Sequence, residues 1–183
     1  MLPDYLRYWG FEKPPFSLAP NPEMLYFSNQ HREGLLRLKY AVHSNKGGAL
    51  LVSDHPGDGK TSLLLRLIAD LQEESEDKTR VAFLDHPTLT APQMIREITR
   101  QLTLGKVSRD KIHNLNLLRE HLKKLKEEGY KAIAIVDEGQ MLAHRPDLLQ
   151  ELRILLNLCS NDSFLLTFIF SGQKALEGAI RRM

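Results

Sequence analysis

The sequence has 183 residues, 42% hydrophobic and 26% charged, a balance that excludes a largely disordered chain and fits one globular domain with a buried core. A formal net charge of +2, from 25 Lys and Arg against 23 Asp and Glu, excludes bulk attraction to a polyanion as an argument for function. The single cysteine, Cys159, excludes an internal disulfide framework, and no stretch is apolar for long enough to span a bilayer. With no basic-then-apolar leader at the start, the expected location is a reducing cytoplasm.

Residues 1–28 carry Pro3, Pro14, Pro15, Pro20 and Pro22 among aromatics, which predicts an extended, ordered lead-in without long helices, ahead of a core over 29–183. Ser28 or Asn29 caps a predicted helix to about residue 43, with Leu35, Leu36, Leu38 and Val42 as its buried stripe. A short apolar run over 49–53 reads as a strand covered on both faces, followed by a glycine-rich turn and a Leu-rich helix over 60–71. Beyond the charged connection EESEDK come a strand over 81–84, a helix over 92–102 and a helix over 114–128. The most apolar strand, 132–136, ends in two acids; a helix over 146–158, a strand over 164–170 and a last helical piece follow. Alternating strands and helices imply an α/β fold with a parallel sheet. Cys159 lies in a helical apolar context and is expected to be buried.

The segment Asp54-His55-Pro56-Gly57-Asp58-Gly59-Lys60-Thr61 follows a strand and opens a helix, the context that a phosphate-binding loop requires. Gly57 and Gly59 let the backbone curl so that successive N–H groups face phosphate oxygens, and the helix N-terminus adds its dipole. Pro56, Gly57, Asp58, Gly59, Lys60, Thr61 and Ser62 are therefore candidate nucleotide ligands, with Lys60 reaching the β and γ phosphates and Thr61 offering a hydroxyl to magnesium. Asp54 stands where the motif has its first glycine, and Asp58 adds a second acid, so affinity is expected to be modest. Asp137 and Glu138, at the end of a strand expected beside the first, supply the other half: Asp137 to hold magnesium and Glu138 to deprotonate the attacking water. The expected cofactors are ATP and Mg2+.

Weaker signals read blandly. Arg119, Lys123, Lys124 and Lys126 interleave with Glu120, Glu127 and Glu128 on a helix whose Leu117, Leu118, Leu122 and Leu125 face inward, which predicts a solvated face rather than a nucleic-acid patch. No histidine stands at metal-ligand spacing from other donors; His55 reads as loop filler, and Asp85-His86 ends a strand without a catalytic assignment.

With the lysine loop and the Asp-Glu pair in place, the chain resembles the AAA+ P-loop ATPases, in particular the group containing the A-type ATPases of general secretion pathways. Tyr8, Gly10-Phe11, Pro15-Phe16-Ser17-Leu18, Pro20, Asn21-Pro22, Leu25-Tyr26, Ser28, His31, Glu33 and Leu36-Arg37-Leu38 are similar to that group's opening signature. Asp137-Glu138-Gly139-Gln140-Met141-Leu142 resembles its Asp-Glu-Ala-Gln motif, and 152–158 and Ser171-Gly172-Gln173 are further likenesses. The resemblance implies a three-layer sandwich with a central parallel sheet, an adenine pocket lined by Tyr26, Phe27 and His31, and a catalytic set of Glu138, Lys60 and Gln173, the last near the γ-phosphate. The family continues into a fifth strand beside the first and a helical lid, neither of which this sequence contains; a fragment or a shortened protein is expected, with an open edge at the first strand and slow turnover by the isolated chain. The implied function is ATP hydrolysis that powers or switches a multiprotein, secretion-related assembly, as a homo-oligomer when the lid is present. The alternatives are a DNA-associated, transposition-type regulator and a non-hydrolysing nucleotide-binding scaffold.

Overall fold

A computed structural model describes residues 4–15, 24–85 and 88–182. The signature residues Phe16 to Pro22, Pro3 and His86 lie outside these.

Four strands form the central sheet: β1 (Gly48–Ser53), β2 (Thr79–Leu84), β3 (Lys131–Val136) and β6 (Thr167–Gln173), all parallel, in the order β1-β6-β3-β2. Parallel strands need crossovers that cover the sheet, and here both faces are covered. Ile133, Ile135 and Ile169 point to one face, where α2 (Asn29–His43) and α3 (Lys60–Glu74) bring Leu38, Val42, Leu64, Leu67 and Leu71. Ala134, Val136, Phe168 and Phe170 alternate to the other face. There α4 (Ala91–Thr103), α5 (Lys111–Glu127), α6 (Pro146–Leu156) and α7 (Ala175–Arg181) contribute Met94, Ile98, Leu118, Leu122, Leu152 and Leu176. The result is the parallel sheet expected from the alternation of elements, set in the three-layer sandwich that the family resemblance implies. No helix among the described residues is long and apolar enough to cross a membrane.

Helix starts follow local chemistry. The Ser28 hydroxyl accepts from the His31 N–H (3.2 Å) at the start of α2, and Asp110 accepts from the His113 N–H (2.6 Å) at the start of α5. Helix α3 begins at Gly59 with no side-chain cap, although its Leu63, Leu64 and Leu67 are among the most buried residues of the chain.

Several expectations need correction. The lead-in is not wholly extended: Asp4–Trp9 forms a short helix, α1, whose Leu6 is buried. Leu36 is 69% exposed; the inward stripe of α2 is Leu38, Ala41 and Val42, because Leu36 falls on the far side of the 3.6-residue period. β1 lies at the open edge expected for the first strand, but its faces are only partly covered, with Leu50 40% exposed. The strand expected over 164–170 is two pieces. Asn161 and Asp162, both with positive φ (51° and 58°), turn the chain so that β5 (Ser163–Phe164) pairs antiparallel with β4 (Cys159–Ser160). Leu165 and Leu166 then enter the core, and β6 starts only at Thr167. Cys159 consequently lies on β4 and is exposed, not buried in a helix. A 3-10 helix, Gly139–His144, follows β3 where no element was expected. Arg119, Lys123 and Lys124 of α5 form the expected solvated face above buried Leu118, Leu122 and Leu125, whereas Lys126 is half-buried and donates to the Ser160 carbonyl (2.5 Å) and the Ser163 hydroxyl (2.6 Å).

Candidate functional site

In a parallel sheet ligands bind beyond the carboxyl ends of the strands, where the connections leave for opposite faces. That edge gathers the predicted residues. β1 ends at Ser53 and runs into the loop; β3 ends at Val136 and delivers Asp137 and Glu138; β6 ends at Gln173, level with Ser53 in the parallel register. The loop, Leu25, Tyr26, Gln30 and His31 line a cleft of about 760 Å³.

Gly57 and Gly59 adopt φ of 86° and 78°, the left-handed region that glycine enters without the Cβ penalty, so the loop closes as the motif requires. A Cβ at Gly59 would also press against the Leu25 side chain at 3.3 Å and the His31 ring at 3.4 Å. His31 braces this turn: its Nε2 lies 2.9 Å from the Asp58 carbonyl and its Nδ1 lies 3.1 Å from the Ser28 hydroxyl. Its Nδ1 also lies 3.2 Å from the Tyr26 carbonyl, so each ring nitrogen faces a main-chain acceptor and the ring ties the entry segment to the loop. Tyr26 is 85% exposed at the rim of the cleft and is not a core residue, while Phe27 lies under the Arg66 guanidinium, 5.9 Å from the ring centre.

Lys60 is half-buried and folds back over the loop, donating to Ser53 Oγ (2.7 Å) and to the His55 carbonyl (3.3 Å). The Ser53 hydroxyl in turn donates to the same carbonyl at 3.0 Å. Asp58 is exposed, and its carboxylate accepts from the His55 N–H at 3.2 Å. The Ser53 hydroxyl and that N–H hold the carboxyl below the ordinary carboxylate range. Since the one Ser53 proton already has the His55 carbonyl as partner, the His55 N–H is the firmer of the two donors. Asp54, the departure from the glycine motif, sits 3.7 Å from the Lys174 ammonium, which partly offsets its charge through solvent. Lys174 directly follows Gln173, so the adjacency of β1 and β6 creates this pair.

Thr61 and Asp137 meet from positions 76 residues apart, the Thr61 hydroxyl donating to Asp137 Oδ2 at 2.6 Å. Asp137 is 3% exposed, and its other oxygen accepts from the Glu138 N–H at 3.0 Å. A hydroxyl and a carboxylate side by side at the mouth of a phosphate loop are the hard oxygen donors that magnesium prefers, so the donor set fits the ion. Glu138 is half-buried with φ of 51°, an uncommon conformation for a side-chain-bearing residue. Its carboxylate accepts from Gln140 Nε2 at 2.5 Å, and Gln140 Oε1 accepts from the Gln173 N–H at 3.1 Å. The predicted loop residues Pro56 to Ser62, the Asp137-Glu138 pair and Gln173 are thus brought to one sheet edge. Ser53 and Lys174 complete it without having been singled out, and Gln140, noted in the 137–142 segment but given no role, joins them; Ser53 was legible in principle, being the last strand residue before the loop.

This combination defines a P-loop nucleotide-binding domain of the AAA+ type. The chain belongs to the AAA domain family, which matches residues 43–180. It is 34% identical to General secretion pathway protein A of Aeromonas hydrophila over 182 residues, 97% of this chain and 31% of that protein. It is 32% identical over 124 residues to human origin recognition complex subunit 4, covering 63% of this chain and 28% of that protein. The chain therefore spans about a third of the curated relatives it matches. Among solved structures, the ORC2 protein of Aeropyrum pernix, determined as ADPNP-ADP complexes, superposes with a TM-score of 0.62 at 19% identity, over 84% of this chain and 43% of that one. Cdc6p from Pyrobaculum aerophilum gives 0.51 at 18%, over 85% and 44%. These two likenesses bear on the fold alone.

Proposed function

We propose that this chain binds ATP with magnesium in the cleft at the carboxyl end of β1 and hydrolyses it, and that the cycle powers or switches a multiprotein, secretion-related assembly in the cytoplasm. The observation that carries the reading is the meeting of Thr61 with buried Asp137 directly beside a glycine-rich loop holding Lys60. Main-chain N–H groups from Gly57 to Ser62 hold the phosphates, with Pro56 shaping the turn ahead of them, and Lys60 leaves Ser53 and the His55 carbonyl to reach the β and γ oxygens. Thr61 and Asp137 hold the metal, which when bound neutralises charge on the β and γ phosphates. Glu138 accepts a proton from the attacking water as the water oxygen bonds to the γ phosphorus and the bond from that phosphorus to the ADP oxygen breaks, releasing ADP and phosphate. Gln173 orients the γ-phosphate at the end of β6. Tyr26 covers the adenine at the rim, and His31 supports the loop from the same wall. Homo-oligomers and the protein subunits of a larger assembly are the expected partners.

Two features support the secretion reading over others: the match to General secretion pathway protein A runs over 97% of the chain, and the net charge of +2 gives no general attraction to DNA. The matches to origin recognition complex subunits support a second reading, a switch in a DNA-associated assembly, for which steeply salt-dependent duplex binding is the sign. The test is MgATP binding and turnover by the wild type, Lys60→Ala and Glu138→Gln. We expect binding by the wild type, loss of binding in Lys60→Ala, and binding with turnover reduced about 100-fold or more in Glu138→Gln. Binding without turnover by the wild type would leave a nucleotide-binding scaffold, and no binding at all would sink the proposal.

A further inference from the structure

The Gln140 side chain spans two elements. It sits in the 3-10 helix two residues after Glu138, and its amide reaches both that carboxylate and the main chain at the end of β6. The Gln173 N–H can only donate, so the amide oxygen must face it and the NH2 must face Glu138; the orientation follows from chemistry. Two glycines permit the approach. A Cβ on Gly172 would fall 2.6 Å from Gln140 Oε1 and 3.0 Å from Gln140 N. A Cβ on Gly139 would fall 3.1 Å from the Ser171 carbonyl and 3.0 Å from a Leu176 methyl. The 3-10 helix and the strand end are thus packed at main-chain contact, so that a shift in one displaces the other. Glu138 itself is held at φ of 51°, a conformation that persists when surrounding contacts over-determine it.

We infer that Gln140 is a positioning residue for the hydrolysis proposed above, a relay that fixes the Glu138 carboxylate relative to Gln173 and so couples the γ-phosphate end of the cleft to the water-activating group. The inference rests on that functional reading and adds to it a residue outside the phosphate loop and the Thr61–Asp137 pair, bonded to Glu138 and to the Gln173 main chain. Its consequence is selective. Losing the relay lets the carboxylate rotate away from the attack line, where small misplacements slow chemistry steeply, while the phosphate loop that supplies affinity is left intact.

The experiment uses the full chain with MgATP and reads three quantities: Kd for a fluorescent ATP analogue, single-turnover rate, and melting temperature. Gln140→Met keeps the length and removes both arms; Gln140→Glu keeps the acceptor for Gln173 but cannot donate to an ionised Glu138. Both are expected to slow turnover about tenfold or more with Kd changed less than about twofold. Gly172→Ala, which crowds the amide from the other side, is expected to give the same split. In a Glu138→Asp background, where the carboxylate withdraws by one methylene from the amide, Gln140→Met is expected to change the residual rate less than about twofold. Parallel losses of Kd and rate, an unchanged rate, or a full-sized effect in the Glu138→Asp background would each overturn the inference. A wild type that turns over beside an unaffected Gln140→Met removes this inference alone, whereas a wild type without turnover removes the functional reading and the inference together.

Discussion

Replacing Thr61 by Val isolates the contact that joins the two halves of the site. The wild-type hydroxyl donates to Asp137 Oδ2 at 2.6 Å, and Asp137 is 3% exposed, so water cannot take the place of the lost donor. A hydrogen bond to a charged group contributes roughly 1.5–3 kcal/mol, and most of that is forfeited when the partner stays buried without a replacement. For a domain of this size we expect a loss of about 2 kcal/mol, or roughly 4–8 °C in melting temperature, in the absence of nucleotide. Thr61→Ser, which keeps the hydroxyl, should lose no more than about 0.5 kcal/mol. Urea and thermal denaturation followed by circular dichroism measure both. Asp137→Asn removes the buried charge that makes the donor valuable, so Thr61→Val should cost clearly less in that background. Equal stabilities of the Val and Ser variants, or a Thr61→Val cost unchanged by Asp137→Asn, would refute the reasoning.

Three further outcomes are expected. Leu38→Ala should cost about 2–5 kcal/mol and Leu36→Ala less than about 0.5, since the first is 3% exposed and the second 69%; equal losses in denaturation would mean that the face of α2 has been misread. The Glu97 carboxyl is lowered from 4.5 to about 2, chiefly by the Arg100 hydrogen bond. Its stabilisation is therefore complete above pH 4.5 and lost as pH falls toward 2, amounting to about 1 kcal/mol after solvent screening; Glu97→Gln should flatten that part of the stability–pH curve. Asp54→Gly should tighten MgATP binding several-fold at low salt, with a smaller gain at high salt, because a carboxylate beside the triphosphate repels it through solvent; titration at two ionic strengths checks the sign.

The alternation of elements was legible because buried parallel strands are continuous apolar runs and the helices carry a 3.6-residue stripe, both properties of local sequence. The loop and the Asp137-Glu138 pair were legible because phosphate and magnesium chemistry demand particular residue types at fixed offsets from a strand end. What escaped depends on which distant segments meet. Lys174 faces Asp54 only because β6 lies beside β1, and Gln140 reaches Gln173 only because Gly139 and Gly172 let two backbones touch. The fate of Cys159 turned on the positive φ of Asn161 and Asp162, which converts an apparent helix-to-strand junction into a hairpin with the thiol outside. Leu36 belonged to an apolar cluster too dense for periodicity alone to say which leucines face the sheet.

The uncapped start of α3 has a consequence for local opening. Helices α2 and α5 fasten their first turns with Ser28 and Asp110, whereas α3, anchored by the deeply buried Leu63, Leu64 and Leu67, leaves its leading amides to whatever anion enters the loop. A steep gradient of hydrogen-exchange protection should therefore run along this one helix, from fast-exchanging amides at Lys60 and Thr61 to slow ones a single turn later. Filling the loop with phosphate should flatten that gradient, so the first turn of α3 works as a built-in reporter of occupancy, read amide by amide.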